Sequence, residues 1–220
     1  MEIRLDLAPL ATLAETFAVD EHLCTGEGKR MGRLWRHGPS LVPGLRDMRL
    51  PMAQAAVAAL RAEGVEVHER SSGGRLVVLD EGVVNIAIAF SGQDLPSVEA
   101  GFRLMADVLL EALVSCGLRP GVGEVPGSIC PGRYDLALDG RKVAGLSQRR
   151  RRTYALIHAF LLVEGTGAER LERAEDFYRR AGAPPEEGVR PGSMAALQEL
   201  DPALGVSSVA GALAAALRSL

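Results

Sequence analysis

Residues 83–90 read Val-Val-Asn-Ile-Ala-Ile-Ala-Phe, apolar at every position but Asn85. A strand that is apolar on both pleat faces needs cover on both sides, so the surrounding chain has to supply two layers. The spacing predicts several candidates. Leu10, Leu13, Ala14, Phe17 and Ala18 recur at three- and four-residue intervals and predict a helix over residues 8–24, broken by Gly26 and Gly28. A second helix is expected over 52–62 behind Pro51, and Ser97 caps a third that reaches about Cys116 and stops at Gly117. Short strands are expected at 65–69 and 76–80. A hairpin joins 134–138 to 142–146 through Asp139-Gly140, a strong turn signal, and a further β run covers 154–163. The Gly- and Pro-rich stretch 118–131 reads as an ordered loop. From Glu169 onward the pattern is helical, interrupted at 183–185 and 191–192, and ends in an Ala-rich helix near 206–219. No repeat or linker stands out. The expected fold is α+β, a single domain over 1–220 with a mixed β-sheet flanked by helices.

Composition excludes several classes. With 220 residues, 47% hydrophobic, and a net charge of -3, the chain has too much apolar content for a disordered protein. No stretch approaches the roughly 20 apolar residues of a membrane-spanning helix, and the start lacks the basic-then-apolar pattern of a secretion signal. Cys24, Cys116 and Cys130 are too few, and odd in number, for a disulfide scaffold. A reduced, cytoplasmic protein without a membrane partner is the expectation.

Three features could carry chemistry. Cys116 falls on the apolar stripe of its helix and Cys24 at a frayed helix end, which makes both structural. Cys130 sits between Pro126-Gly127-Ser128 and Pro131-Gly132, in a loop just before the hairpin, where reactive groups concentrate. Of the 25 lysines and arginines only two are lysine, Lys29 and Lys142. Genome bias explains the arginines, but an amine can lose its proton where a guanidinium cannot. Lys142 follows the hairpin turn, beside Arg141, and can return toward Cys130. A neighbouring amine or ammonium is one way to activate a thiol. The third feature is the loop Arg70-Ser71-Ser72-Gly73-Gly74. Its glycines permit close backbone approach to a ligand, although it matches no phosphate-binding pattern and also reads as a plain turn. Arg149–Arg152 is basic but lacks interleaved aromatics on an acidic chain, so no nucleic-acid partner is expected; a solvated face, or a patch for an acidic protein, fits better. His22, His37, His68 and His158 are scattered and predict no metal site, with His158 a buried supporting residue.

Two blocks together resemble a known family. One runs from Arg70 through Ser-Ser-Gly-Gly-Arg to Val-Leu-Asp-Glu-Gly-Val-Val-Asn85. The other runs from Cys130 through Tyr134-Asp135 and Gly140-Arg141-Lys142 to Gly145 and Gln148-Arg149. Their order and spacing are similar to those of the biotin/lipoate protein ligase superfamily, in its branch of cysteine-dependent octanoyl and lipoyl transferases. The likeness covers about residues 15–165, with 166–220 a helical C-terminal part. Within the branch, Ser-Ile-Cys-Pro-Gly and Val-Leu-Asp-Glu-Gly-Val look most like the amidotransferase members. The resemblance implies that Cys130 takes an octanoyl group from the glycine-cleavage H protein as a thioester. It then implies delivery to the lipoyl-domain lysine of a 2-oxoacid dehydrogenase subunit. It also implies that Lys142 activates the thiol and assists the amine. Arg70, Ser71, Ser72, Gly73, Gly74, Gly145 and Ser147 would line the acyl site, with no ATP, metal or cofactor. Arg75 stands where many relatives carry a small residue, which puts the width of the acyl channel at issue. Two alternatives stay open: acyl carrier protein as the donor, and a non-catalytic binder of acyl groups or lipoyl domains.

Overall fold

The computed structural model describes residues 1–25, 30–70, 74–92 and 95–220. Among the described residues, ten strands and five α-helices follow in chain order. They are β1 (Glu2–Asp6), α1 (Leu13–His22), β2 (Arg30–Trp35), β3 (Ser40–Val42), α2 (Ala53–Ala62), β4 (Glu66–Val67), β5 (Val77–Leu79) and β6 (Val83–Ser91). Then come α3 (Val98–Ser115), β7 (Gly121–Val122), β8 (Leu136–Leu138), β9 (Arg141–Arg150), β10 (Tyr154–Leu162), α4 (Gly167–Ala181) and α5 (Val206–Arg218). The large sheet has the order β1-β2-β6-β10-β9-β8-β7, and β4-β3-β5 form a second, small sheet. β1 runs parallel to β2, and β2-β6-β10-β9 are antiparallel. The fold class is the expected one, a mixed sheet flanked by helices.

β6 lies inside the large sheet, between β2 and β10, and is buried through residues 83–90. Its alternate residues serve two different layers. Val84, Ile86, Ile88 and Phe90 pack with Ile157 and Leu161 of β10 against Met105 and Leu109 of α3 and Leu213 of α5. Asn85, Ala87 and Ala89 face the other way. Across the sheet they align with Trp35, Arg33 and Met31 of β2 and with Phe160, His158 and Leu156 of β10. Above that face lie α1, the small sheet, and α2 and α4, which share a core of Leu13, Leu41, Val57, Leu79 and Phe177. The cavity that Cys130 lines forms on this second face.

Three expectations needed correction. α1 starts later than residue 8, because Thr12 caps it: the Thr12 hydroxyl accepts the Glu15 N–H and the Glu15 carboxylate accepts that of Thr12. The segment before it pairs as β1. β2 was not anticipated, since Arg-Met-Gly-Arg-Leu-Trp is broken by Gly32 and carries Arg33, which is fully buried. Arg33 is tolerated there because it donates to Asp6 (2.6 Å), Asp20 (2.8 Å) and the Thr16 carbonyl (2.7 Å). Third, the predicted loop 118–131 contributes the short strand β7. Gly26, Gly28 and Lys29 lie outside the described residues. Among the described residues no helix is long and apolar enough to cross a membrane.

Candidate active site

The hairpin expected at Asp139-Gly140 forms, with both residues left-handed (φ of 49° and 72°). That geometry suits a two-residue turn matched to sheet twist. It starts β9 at Arg141, so that Lys142 lies inside the fold. Main-chain bonds then tie Lys142 to the C-terminal segment: its N–H donates to the Ser193 carbonyl (2.9 Å) and its carbonyl accepts from Ala195 (3.0 Å). The side chain is fully buried. Its Nζ lies 2.8 Å from Asp135 Oδ2, 2.9 Å from the Ile129 carbonyl and 2.8 Å from the Cys130 carbonyl. The Phe160 ring lies 5.3 Å away. An ammonium has three N–H bonds, so every one of them has an acceptor.

Asp135 is the carboxylate that makes this burial tolerable, and sequence reasoning gave it no role. It is 1% exposed and also accepts the Gly132 N–H at 2.8 Å. Burial pushes its carboxyl above the usual range, while Lys142 pulls the other way. Its signal was present in the Tyr134-Asp135 pair of the second block. A lysine that the fold buries also calls for an acidic partner.

The loop before the hairpin delivers Cys130, held at a φ of 50° by the Lys142 bonds to Ile129 and Cys130. This partly exposed residue presents its sulfur to the cavity, where it accepts the main-chain N–H of Arg75 at 3.0 Å. The Arg75 side chain turns away from the cavity. It pairs with Glu187 (2.9 Å) and Asp47 (3.4 Å) and lies over the Tyr178 ring at 4.6 Å. It therefore leaves the channel width alone. Gly74 sits between Arg70 and the thiol with a φ of 99°. A Cβ there would come within 2.6 Å of Arg70 Nη2 and 3.1 Å of Cys130 Sγ. Gly74→Ala is thus expected to cost about 1–3 kcal/mol of stability and at least about tenfold in activity, read by thermal melting and a transfer assay.

The cavity runs from this centre over the second face of the sheet. Phe17, Trp35, Val42, Val77, Leu79 and Phe160 give it an apolar wall, and Arg70, Cys130, Ser147 and His158 are among its polar lining groups. Gly145 lines it too. A side chain there would meet the Phe160 ring at 2.7 Å and Lys142 Cε at 2.9 Å, so glycine keeps the space open. Arg70 donates to Ser147 Oγ (3.3 Å) and to the Arg75 carbonyl (2.6 Å). The fold thus brings together Arg70, Gly74, Cys130, Lys142, Gly145 and Ser147. Ser71, Ser72 and Gly73 lie outside the described residues.

The remaining candidates have structural settings. Burial pushes the Cys24 thiol up to about 12, with Asp20 and Glu21 adding to it, and the residue packs beside Ala87 and Leu156. Cys116 is half-buried against the α3 side of the sheet. His158 reaches the cavity with its Nε2 3.0 Å from Asp20 Oδ2, joining the Asp20–Arg33 pair. The arginine run splits across β9: Arg149 pairs with Glu21, and Arg150 donates to the Pro96 carbonyl at 2.6 Å. Arg151 and Arg152 are exposed.

Residues 12–218 match the family model described as the lipoyl protein ligase A/B catalytic domain. The octanoyl-[GcvH]:protein N-octanoyltransferase of Geobacillus kaustophilus is 41% identical over 175 residues, covering 77% of this chain and 62% of that protein. The protein of that name from Bacillus velezensis is 36% identical over 208 residues, covering 88% and 72%. This chain therefore spans about 62% of the length of the Geobacillus relative. A crystal structure of lipoate-protein ligase A bound with ATP superposes with a TM-score of 0.74 at 22% identity, over 100% of this chain and 85% of that one. That likeness concerns the fold.

Proposed function

The chain belongs to the lipoyl protein ligase A/B catalytic domain family, and on that premise we propose that it is an acyltransferase working through a thioester on Cys130. The donor is an octanoylated glycine-cleavage H protein, and the acceptor is the lipoyl-domain lysine of a 2-oxoacid dehydrogenase subunit. The donor part of the reading rests on the names of the relatives at 36–41% identity. The single observation that carries the chemistry is an apolar cavity that ends on a partly exposed cysteine sulfur bonded by a main-chain N–H.

Two displacements compose the reaction. Cys130 Sγ attacks the octanoyl carbonyl, the S–C bond forms, and the C–N bond to the donor lysine breaks. The departing amine takes up the proton that the thiol gave up. In the second half the acceptor amine attacks the thioester, the S–C bond breaks, and the amine's surplus proton returns to the site. An amide is exchanged for an amide, so no external energy source is needed for the balance. The apolar wall around Trp35, Val42 and Leu79 receives the hydrocarbon chain, which is stabilised by about 0.8 kcal/mol per buried methylene. The Arg75 N–H beside the sulfur is placed to donate to the oxyanion that forms on the adjacent carbon. The Lys142–Asp135 pair carries a buried proton next to the Cys130 main chain and exchanges it with the leaving and incoming amines.

Offering each donor separately tests the reading. Octanoylated H protein is expected to load a lipoyl domain in a reaction that needs no ATP, at a rate at least about 100-fold above that with octanoyl-acyl carrier protein. The reverse preference would reassign the donor. Tight lipoyl-domain binding without turnover from either donor would make the chain a binder.

A further inference from the structure

The N–H of Arg75 that meets Cys130 Sγ at 3.0 Å follows Gly74, which stands at a φ of 99° and has no side chain of its own. Arg75 is therefore the first side chain after that glycine that can fix the peptide, and it is anchored at three points. Its Nη2 donates to Glu187 Oε2 (2.9 Å), its Nη1 to the Glu187 carbonyl (3.1 Å) and its Nε to Asp47 Oδ1 (3.4 Å). Asp47 is buried and also accepts the Gly44 N–H at 2.9 Å. Gly44 in turn lies so close to the Gly74 carbonyl that it has no room for a Cβ. Burial pushes the Asp47 carboxyl up, with the Gly44 N–H and Arg75 pulling the other way. Glu187 opens a segment that grips the cysteine loop as well. The Arg190 N–H (2.7 Å) and the Ser193 hydroxyl (2.9 Å) donate to the Gly127 carbonyl, and Met194 Sδ accepts the Ile129 N–H at 3.4 Å. Residues 187–194 thus hold both the donor's side chain and the loop that carries the sulfur.

We propose that Arg75 is a positioning residue: its side chain, clamped by Glu187 and Asp47, holds the 74–75 peptide so that its N–H stays aimed at Cys130 Sγ and at the oxyanion that forms beside it. This rests on Cys130 being the nucleophile of the proposed reaction. A main-chain N–H stabilises developing charge best when it has no distance to travel to meet it. Two carboxylates on one guanidinium, itself lying over the Tyr178 ring at 4.6 Å, remove that freedom. They also neutralise the guanidinium, so Arg75 acts through geometry and not as a counter-charge to the sulfur. The other charged or titratable groups around this centre are Arg70, Tyr178 and, through the Cys130 main chain, Lys142 with its partner Asp135. The variants below alter none of them.

Alkylation of Cys130 by iodoacetamide, followed at its own peptide across a pH series, reads the hydrogen bond to the sulfur without any acyl donor. Removing Glu187 separates geometry from charge by sign. If Arg75 acted through its charge, Glu187→Ala would leave that charge less neutralised and move the pH–rate profile to lower pH. If Arg75 acts by holding the peptide, the same change loosens the N–H and moves the profile to higher pH. The second result is expected, with alkylation at neutral pH slowed about threefold in Glu187→Ala and about tenfold in Arg75→Ala, which keeps the N–H but loses the whole clamp. The Glu187 side chain is 43% exposed, so its loss leaves the core intact. In octanoyl transfer, the kcat of Arg75→Ala is expected to fall about tenfold with the KM for the donor within about twofold, and Arg75→Lys, which keeps one bond to Glu187, to recover part of the loss. A Glu187→Ala profile that stays in place or moves to lower pH overturns the assignment, as does an Arg75→Ala kcat equal to that of the parent. Because alkylation involves no acyl group, a failure of octanoyl transfer with every donor would count against the proposed reaction and leave the alkylation result standing.

Discussion

Cys130→Ala is expected to reduce the proposed octanoyl transfer to background, a loss of at least about 10⁴-fold, while the protein stays folded. The size follows from the role: without the sulfur there is no thioester, and the donor amide would have to be attacked directly by the acceptor amine. Fold retention follows from the surroundings. Cys130 is partly exposed, and its main chain is held by Lys142 through carbonyl oxygens that alanine keeps. The left-handed φ of 50° is no harder for alanine than for cysteine, so a melting shift of no more than a few degrees is expected. The transfer assay and a thermal melt read both halves. Near-normal transfer by a folded Cys130→Ala protein would move the chemistry to another group, and Cys24, buried with its thiol pushed up to about 12, is poorly suited to receive it.

Lys142→Arg comes second in expected effect, with a loss of about 10³-fold in turnover even though the charge is kept. The hole is made for an ammonium. Three oxygens close on Nζ within 2.9 Å, Phe160 lies over it at 5.3 Å, and Cε comes within 2.9 Å of where a side chain on Gly145 would begin. A planar guanidinium is longer and wider, and it cannot reach the same three acceptors without displacing the Cys130 loop. Overpacking of this kind costs about 1–3 kcal/mol of stability, and the displaced carbonyls release Cys130 from its φ. The fixed guanidinium also removes the proton that Lys142 and Asp135 exchange. A transfer assay on the purified variant checks the loss, and wild-type turnover would mean that neither the main-chain grip nor the proton is needed.

The parts of the fold that were legible in the sequence are those whose signal is local. The apolar run of β6, the Ser97 cap of α3 and the Asp139-Gly140 turn each announce themselves within a few residues, and each forms as expected. β2 was hidden because its buried Arg33 is compensated by Asp6 and Asp20, both contributed from elsewhere in the chain. α1 was misjudged for the same reason. Its stripe reads as apolar, yet its buried positions include Thr16, whose hydroxyl donates to the Thr12 carbonyl, and Asp20, which pairs with Arg33 and His158.

The candidate site follows the same division. Motif order placed Cys130 and Lys142 in one loop and hairpin, and the described residues of the Arg70 loop reach the same centre. What motif order could not supply was the direction of each bond. Arg75 looked like an obstruction in the acyl channel, but its side chain points to Glu187, so distant in sequence that no local pattern connects them. Lys142 was expected beside Cys130, but that its side chain would bond Asp135 and two carbonyls, one of them that of Cys130, was not readable from the motif.

The most direct measurement is intact-protein mass spectrometry of the chain mixed with octanoylated H protein and no acceptor. An octanoyl adduct is expected on the Cys130 peptide, removed by hydroxylamine and discharged when a lipoyl domain is added. Transfer that proceeds with both carriers present, while Cys130 never bears an acyl group, would contradict the thioester route.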